Sequence, residues 1–242
     1  MAKTILRWMM SLALMALLAN LSLAAQDTAH KTPTPPKYCN PCLFYGGDFD
    51  VNNSAENGLL DGIGSTADGE VYVPFTVPKQ QKWQVTGLFV TLISNDLNNA
   101  VPAQIKWEIR KHVATGRGGT LLASGITRAT IAEVFDCDVP LDVPCAALGT
   151  NAIKVSLPSG RYWLAVVPLC EGKGSNCDGD YYDLVDAEDR PPANHYGPLE
   201  PWDDSFWSSK SSGAHFKPTW GGPGACQGVG CDRFSAGVLG TK

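Results

Sequence analysis

A glycine-rich stretch near the start of the chain, residues 45–62, gathers many oxygen-bearing side chains that could do chemistry. It reads YGGDFDVNNSAENGLLDG and has few apolar residues to bury. Asp and Asn oxygens are hard ligands that suit Ca²⁺, and paired carboxylates can also act as acid and base. The side chains that would form a calcium site are Asp48, Asp50, Asn52 and Glu56.

The same stretch does not follow the EF-hand pattern. With Asp48 at position 1, Asn53 stands where the turn glycine belongs and Leu59 where the bidentate glutamate belongs. Asp and Asn side chains also cap their own backbone in turns. We therefore expect a solvated turn that requires no cofactor, and calcium binding is the functional interpretation that merits a test.

A second polar stretch, residues 178–209, interleaves aromatic rings with acids. Exposed rings stack on the apolar faces of sugars, while neighbouring carboxylates accept hydrogen bonds from sugar hydroxyls. The candidate binding residues are Tyr182, Tyr196, Trp202 and Trp207. The alternative, which we favour, is that these aromatics hold a long loop against the folded domain.

Several common enzyme motifs are absent from the sequence. It has no G-x-S-x-G elbow, no phosphate-binding G-x-x-x-x-G-K-[ST] and no H-E-x-x-H zinc motif. A polysaccharide hydrolase or lyase would have to use Glu200, Asp203 or Asp204, and a glycosidase needs two carboxyls about 5 to 10 Å apart. No catalytic residue is assigned, and catalysis is the second hypothesis.

The first residues predict a secretion signal. Lys3 and Arg7 precede an apolar run, and Ser22-Leu23-Ala24 has the small residues that a signal peptidase requires. A membrane anchor is disfavoured, because the run is short and no basic cluster follows it. We expect a signal peptide over residues 1–24, a Pro/Thr-rich tether over 25–37 and a folded domain over 38–242. The protein would then be secreted, either periplasmic or extracellular, with no membrane span after cleavage.

The charge balance bears on the partner. The chain carries 19 Lys and Arg residues against 24 Asp and Glu residues, and cleavage would remove two of the basic ones. A nucleic-acid partner is disfavoured, since affinity for phosphate depends on clustered Lys and Arg. An extracellular glycan or a surface protein is the expected partner, and the sequence does not indicate an oligomeric state.

All eight cysteines follow the predicted signal and fall into close pairs, which in an exported chain predicts disulfides. Local pairing is the simplest hypothesis, with the CNPC pair as its least certain member because the ring is so short. A redox CNPC motif and a zinc site built from the first and last pairs are the alternatives. The pairs are Cys39 with Cys42, Cys137 with Cys145, Cys170 with Cys177, and Cys226 with Cys231.

The elements that must position these residues are β-strands. Apolar residues alternate with polar ones from Glu70 onward, as in VYVPFTV and AQIKWEIRK, and WQVTGLFVTLIS is apolar on both faces. NAIKVSLPSGRYWLAVVPL predicts two strands joined at Pro158-Ser159-Gly160, and TLLASGI, AHFKPTW and RFSAGVLG predict shorter ones. The predicted fold is an all-β antiparallel β-sandwich, jelly-roll or immunoglobulin-like, in a single domain with long loops. Trp83, Trp107 and Trp163 are expected in its core.

These segments, together with LPSGRYWLAVVP, resemble uncharacterised secreted bacterial β-sandwich proteins with an N-terminal YGGDFDxNN segment. The chain is also similar in plan to choice-of-anchor surface domains of bacteria, although it shows no sorting tail. The resemblance implies the fold and export, and it supplies no catalytic residue. The predicted function is an exported, disulfide-stabilised, non-catalytic β-sandwich with a binding or surface-structural role. The alternative is a jelly-roll carbohydrate-active enzyme or a glycan-binding module.

Overall fold

Strands make up most of the described part of this computed structural model. It describes residues 36–47, 49–56, 59–60, 69–94, 103–136, 144–170, 182–187, 195–198, 205–210, 213–219 and 234–242. The strands are β1 (Cys42–Tyr45), β2 (Phe49–Glu56), β3 (Leu59–Leu60), β4 (Gly69–Ser94), β5 (Gln104–Lys111), β6 (Thr120–Arg128), β7 (Thr130–Asp136), β8 (Pro144–Thr150), β9 (Val155–Cys170), β10 (Tyr182–Ala187), β11 (Phe206–Ser209), β12 (Ala214–Pro218) and β13 (Ala236–Thr241).

The predicted all-β class is confirmed. The described strands join one sheet, and every pairing among them is antiparallel except that of β3 with β9. None of the described residues forms a helix long and apolar enough to cross a membrane. They all belong to one compact unit, residues 33–242.

Two long strands, β4 and β9, organise the sheet. The first half of β4 pairs with β9 and β11, and its second half pairs with β9, β13, β8 and β10. One group of neighbours therefore runs β6-β5-β9-β4-β11-β12, and the other runs β1-β13-β4-β8-β7. One buried cluster contains apolar residues of both groups, such as Phe75 and Ile109 from the first and Leu148 and Val238 from the second. This shared core supports the sandwich, whose two layers stay a prediction.

The pairing of the two long strands is interrupted at one irregularity. Bulges of this kind bend the strands that carry them, and we call this place the bend. The register between β4 and β9 shifts between Val77 and Lys82 of β4, where Gln80 has a φ of 65°. On β9 the matching position is Gly160, with a φ of 150° that a side chain would disfavour. The hydroxyl of Tyr162 donates a 2.6 Å hydrogen bond to the carbonyl oxygen of Pro158 and so spans the bend. A tyrosine that bonds to backbone a few residues upstream is also a feature of immunoglobulin-like sandwiches.

Most strand predictions are confirmed, and one is wrong. The segment WQVTGLFVTLIS forms the half of β4 that is paired along both edges, and the short segments lie in β6, β12 and β13. Trp83, Trp107 and Trp163 are buried as expected. The predicted break at Pro158-Ser159-Gly160 does not occur, because β9 bends there and continues. A bend within a strand can accommodate a proline, which has no backbone N–H to donate, and a glycine with positive φ, so these residues do not have to end the strand.

A small disulfide-closed segment packs on the second group of strands. Cys39 and Cys42 are bonded with a Cα–Cα distance of 4.7 Å, and Cys39 packs with Tyr45, Phe89 and Ala147. Tyr38 meets the Phe89 ring edge to face at 5.2 Å. A Cβ at Gly237 would overlap the same ring, so this glycine makes room for it. The segment thus covers the outer side of β4 and anchors β1 beside β13.

The hydrogen bond at the bend yields a stability prediction. We expect Tyr162→Phe to lower the free energy of unfolding by about 1 kcal/mol, because it removes one net hydrogen bond and keeps the buried ring. Tyr162→Ala, which also removes ring packing against Phe75, should cost about 3 to 5 kcal/mol. Urea unfolding followed by circular dichroism measures both. A Tyr162→Phe midpoint equal to that of the unaltered protein would show that this bond does not stabilise the bend.

Candidate functional site

The outward face of β4, β9 and β5 carries a half-buried group of charged side chains. We call it the Glu108 cluster, and it consists of Glu70, Tyr72, Lys106, Glu108 and Arg110. β9 lies between the other two strands, and the β9 residue opposite Glu108 is Ala165. A methyl group at this position leaves space above β9, so long side chains from β4 and β5 can meet there.

Four charges in this cluster neutralise one another. The Lys106 Nζ lies 2.6 Å from Glu70 Oε1 and 3.0 Å from Glu108 Oε1. The Arg110 Nε donates a 2.6 Å hydrogen bond to Glu108 Oε2. Only 8% of the Glu108 side chain is exposed, and its two oxygens contact two different cations. Burial of this carboxylate is tolerated because both oxygens are paired.

Aromatic rings enclose the guanidinium of Arg110. Its Cζ lies 5.5 Å from the centroid of Tyr72 and 5.5 Å from that of Phe216 on β12. Those two rings pack with centroids 4.9 Å apart. Nη1 donates a 3.0 Å hydrogen bond to the Gly118 carbonyl. The β11–β12 hairpin and the segment after β5 therefore cover the charged face and hold Arg110 in one orientation.

The phenol of Tyr72 lies between two carboxylates. Its hydroxyl is within hydrogen-bond reach of Glu70 and lies 3.1 Å from Glu108 Oε2. It has one proton and can donate it to only one of them at a time. Burial, followed by the negative charges of Glu70 and Glu108, raises the pKa of Tyr72 far above its ordinary value. Tyr72 is thus a hydrogen-bond donor that does not ionise near neutral pH.

The other pKa shifts also move away from neutrality. Burial raises the pKa of Glu108, but the hydrogen bond from Arg110 and the charge of Lys106 outweigh it, so that the pKa lies below its ordinary value. Burial lowers the pKa values of Lys106 and Arg110, and their carboxylate partners reverse this and raise both. General acid–base catalysis works best with a pKa near the operating pH. The cluster is therefore suited to ordering the sheet face.

The alternation of apolar and polar residues along β5 predicts one polar face, and the charged residues of β5 do share that face. It did not reveal that the face is covered, nor that Glu70 and Tyr72 join it. The one available signal was the charge alternation Lys106, Glu108, Arg110, which is unusually dense for a single strand. Their partners on β4 are remote in sequence.

The candidate calcium residues lie in or beside β2. Asp48 is outside the described residues, while Asp50, Asn52 and Glu56 belong to β2, so the solvated turn expected there is wrong for residues 49–56. The register places Asp186 opposite Asp50 and Asp183 opposite Glu56. The described residues include no group of three metal-binding side chains. Calcium binding stays a prediction that depends on side chains outside this description.

The aromatic candidates do not form one described surface. Trp207 is 4% exposed and belongs to the core, whereas Tyr196 is half-buried and exchanges backbone hydrogen bonds with Tyr45. The backbone of Tyr182 pairs with Ser94. These three positions support strand pairing, as the loop-anchoring interpretation expects. Outside the described residues lie Trp202, Glu200, Asp203 and Asp204.

The cysteine predictions are partly tested. The Cys39–Cys42 disulfide is present, and a bonded pair offers no thiolates to a zinc ion. The redox alternative is not tested, because the oxidised form of such a motif is also a disulfide. Cys145 is also disulfide-bonded and fully buried, and Cys170 ends β9. The pairings of the remaining cysteines stay predictions, with Cys137, Cys177, Cys226 and Cys231 outside the described residues.

The edge strand β6 is a second candidate surface. Among the described strands it pairs only with β5. Its large apolar side chains are unusually exposed, with Leu121 at 45%, Leu122 at 44% and Ile126 at 58%. Leu121 is opposite Arg110 and Ile126 opposite Lys106, so both lie on the face that carries the Glu108 cluster. An open edge beside exposed apolar side chains is suited to binding another strand.

No known protein family matches this sequence, and no curated protein is similar to it in sequence. The resemblance to secreted bacterial β-sandwich proteins therefore stays a prediction.

The Glu108 cluster yields a coupled stability prediction. We expect Glu108→Gln to cost about 3 kcal/mol, because it leaves two half-buried cations with one carboxylate between them. Lys106→Gln together with Glu108→Gln restores neutrality, so the double variant should lose less than the sum of the single variants. Urea unfolding of the four proteins measures the coupling. Lys154→Gln, at an exposed position, is the control and should change stability by less than about 0.5 kcal/mol. Strict additivity of the two cluster substitutions would contradict the coupling.

The lowered pKa of Glu108 predicts a dependence of stability on acid. A carboxyl whose pKa is lower in the folded state contributes stability above its ordinary value of 4.5 and loses that contribution as the pH falls through the folded value. The melting temperature of the unaltered protein should therefore fall more steeply than that of Glu108→Gln between about pH 6 and about pH 3. Calorimetry at matched ionic strength measures both curves. Parallel curves would show that Glu108 does not titrate with unfolding.

Proposed function

We propose that this chain is an exported, disulfide-stabilised all-β protein that acts outside the cytoplasm by binding or as a structural element, without catalysing a reaction. The observation that carries the proposal is the Cys39–Cys42 disulfide, which packs in a buried cluster with Tyr45 and Phe89. Disulfides persist in oxidising compartments and are rare in the cytosol. The bonded and buried Cys145 adds a second position of the same kind.

A role in ordering the sheet explains the chemistry of the Glu108 cluster better than a catalytic role does. Its carboxylates and cations neutralise one another at 2.6 to 3.0 Å. The pKa shifts of Tyr72, Lys106 and Glu108 all move these groups away from neutral pH. General acid–base catalysis is most efficient when the pKa of the acid or base lies near the operating pH. The cluster stabilises the face next to β6, which is the surface that we assign to binding.

The open edge of β6 supports a binding or structural role over a catalytic one. An open β-strand recognises an extended partner strand through backbone hydrogen bonds and alternate side chains. Leu122 and Ile126 alternate with the half-buried Ala123 and Thr127, which is the pattern such recognition uses. The rival is a carbohydrate-active enzyme with Glu200, Asp203 or Asp204, or a glycan-binding module with Trp202. Polysaccharide cleavage that is lost in Asp203→Asn/Asp204→Asn would favour the enzyme.

Export is the part of the proposal that a single experiment tests. We expect the full chain, produced in a bacterium with a periplasm, to appear there with residues 1–24 removed and no free thiols. Intact-mass analysis of cell fractions, with thiol alkylation before reduction, measures both properties. Leu14→Arg/Leu17→Arg is the matched control, because charges in the apolar run should block entry to the export pathway. A soluble, folded and unprocessed chain with free thiols in the cytoplasm would overturn the proposal.

A further inference from the structure

The edge of β6 fits a second copy of the same chain. We propose that two copies pair antiparallel through β6, about a two-fold axis at Ser124 normal to the sheet, and so extend the sheet across the pair. This inference rests on the proposed binding or structural role and names its partner. The described residues provide no other strand for this edge, since β6 pairs only with β5 among them.

The geometry of a two-fold axis selects the register. A two-fold axis normal to the sheet leaves each side chain on its own face of the sheet. Residues that lie opposite each other in paired strands also share a face. Both conditions hold only if one residue of β6 lies opposite its own copy across the axis. The bulge between β6 and β5 interrupts the alternation of faces at Leu121 and Leu122, so the symmetric register applies only from Leu122 onward. Within that part of the strand, an axis at Ser124 places the two exposed side chains Leu122 and Ile126 opposite each other. The opposite pairs would then be Leu122 with Ile126, Ala123 with Gly125, and Ser124 with itself.

The side chains of β6 are complementary to themselves in this register. Leu122 would lie opposite Ile126 of the second copy, and the symmetry repeats this contact. These two side chains are exposed by 44% and 58% in the single chain, so their pairing would remove apolar surface from water. Ser124 lies on the same face, opposite Glu108, and a small residue at the axis lets the two strands approach.

The charges of β6 do not oppose the pairing. Arg128 is the one charged residue in the strand, and it would lie beyond the paired residues 122–126. The two Arg128 side chains would be separated by eight residues, about 26 Å along the strands. Proteins commonly protect an open edge with inward charges or proline, and β6 has neither. The bulge opposite Ile109 and Arg110 lies at one end and leaves residues 123–128 in continuous register with β5.

Cysteine crosslinking of the purified processed protein tests the register. In the proposed pair, two Ser124→Cys residues face each other at a Cα distance of about 4.5 to 5.5 Å, which a disulfide spans. Mild oxidation should therefore give a covalent dimer on a non-reducing gel. Thr120→Cys is the matched control, because its two copies would be about 26 Å apart and should not crosslink. A mixture of Leu122→Cys with Ile126→Cys should also crosslink, since these residues are opposite.

Charge variants test the attraction itself by sedimentation velocity over a range of concentrations. Leu122→Lys/Ile126→Lys places lysines opposite each other and should raise the dimer dissociation constant by about tenfold or more. Leu122→Lys/Ile126→Glu loses the same apolar surface but places Lys opposite Glu, so it should dimerise more tightly than the first variant. Both alter exposed side chains, and unchanged melting temperatures would show that the folded chain is intact.

Two outcomes would overturn the pairing. One is a monomer at all concentrations with no crosslink at Ser124→Cys, which would leave the β6 edge for an unrelated strand. The other is equal crosslinking of Ser124→Cys and Thr120→Cys alone, which would indicate random collision. Either result would leave the proposed function in place, provided that the chain is processed and oxidised in the periplasm. If the chain is not processed, the proposed function is overturned, and the crosslinking experiment still tests whether two copies pair through β6.

Discussion

The backbone pairing of β4 with β9 is the interaction on which the other elements depend. It continues on both sides of the bend, from Val73 to Val85 on β4. β4 therefore contributes to both groups of neighbours, and β4 and β9 each present apolar residues on both faces over part of their length. Leu88 and Phe89 are adjacent on β4, yet they are buried in different clusters. A strand buried on both faces accepts few substitutions, because any change of volume meets packed atoms.

The covered charged face follows from this arrangement. On β9, Tyr162 and Leu164 point to the main core, while Trp163 and Ala165 belong to a second cluster with residues of β11 and β12. The second cluster removes water from the Glu108 cluster beside it. A carboxylate in such a place must be paired, and it is then costly to remove. The covering hairpin contacts these charges directly, since one of the two rings that enclose Arg110 is Phe216 of β12.

The sequence predicts the strands better than it predicts their association. The alternation of apolar and polar residues identified β4, β5 and most of the shorter strands, because side chains of a strand with one buried face point alternately to the core and away from it. It failed at residues 49–56, where Asp and Asn occupy a strand that pairs with β10, since local turn preferences can be overridden by a partner strand. It also failed at Pro158-Ser159-Gly160, because proline and glycine are found both where a strand ends and where a strand bends and continues. The Glu108 cluster joins Glu70 to Lys106 across an intervening strand, and no local pattern encodes that proximity.

The place of β13 has a consequence for how the chain is made. β13 lies between β1 and β4, pairing with both, and it is synthesised after every other described strand. Among the described strands β1 pairs only with β13, so β1 and its disulfide-closed segment gain this neighbour only after β13 has been synthesised. Contacts between such distant segments close slowly. Under the export proposed above, this delay would keep the chain in the unfolded form that a translocation channel can thread.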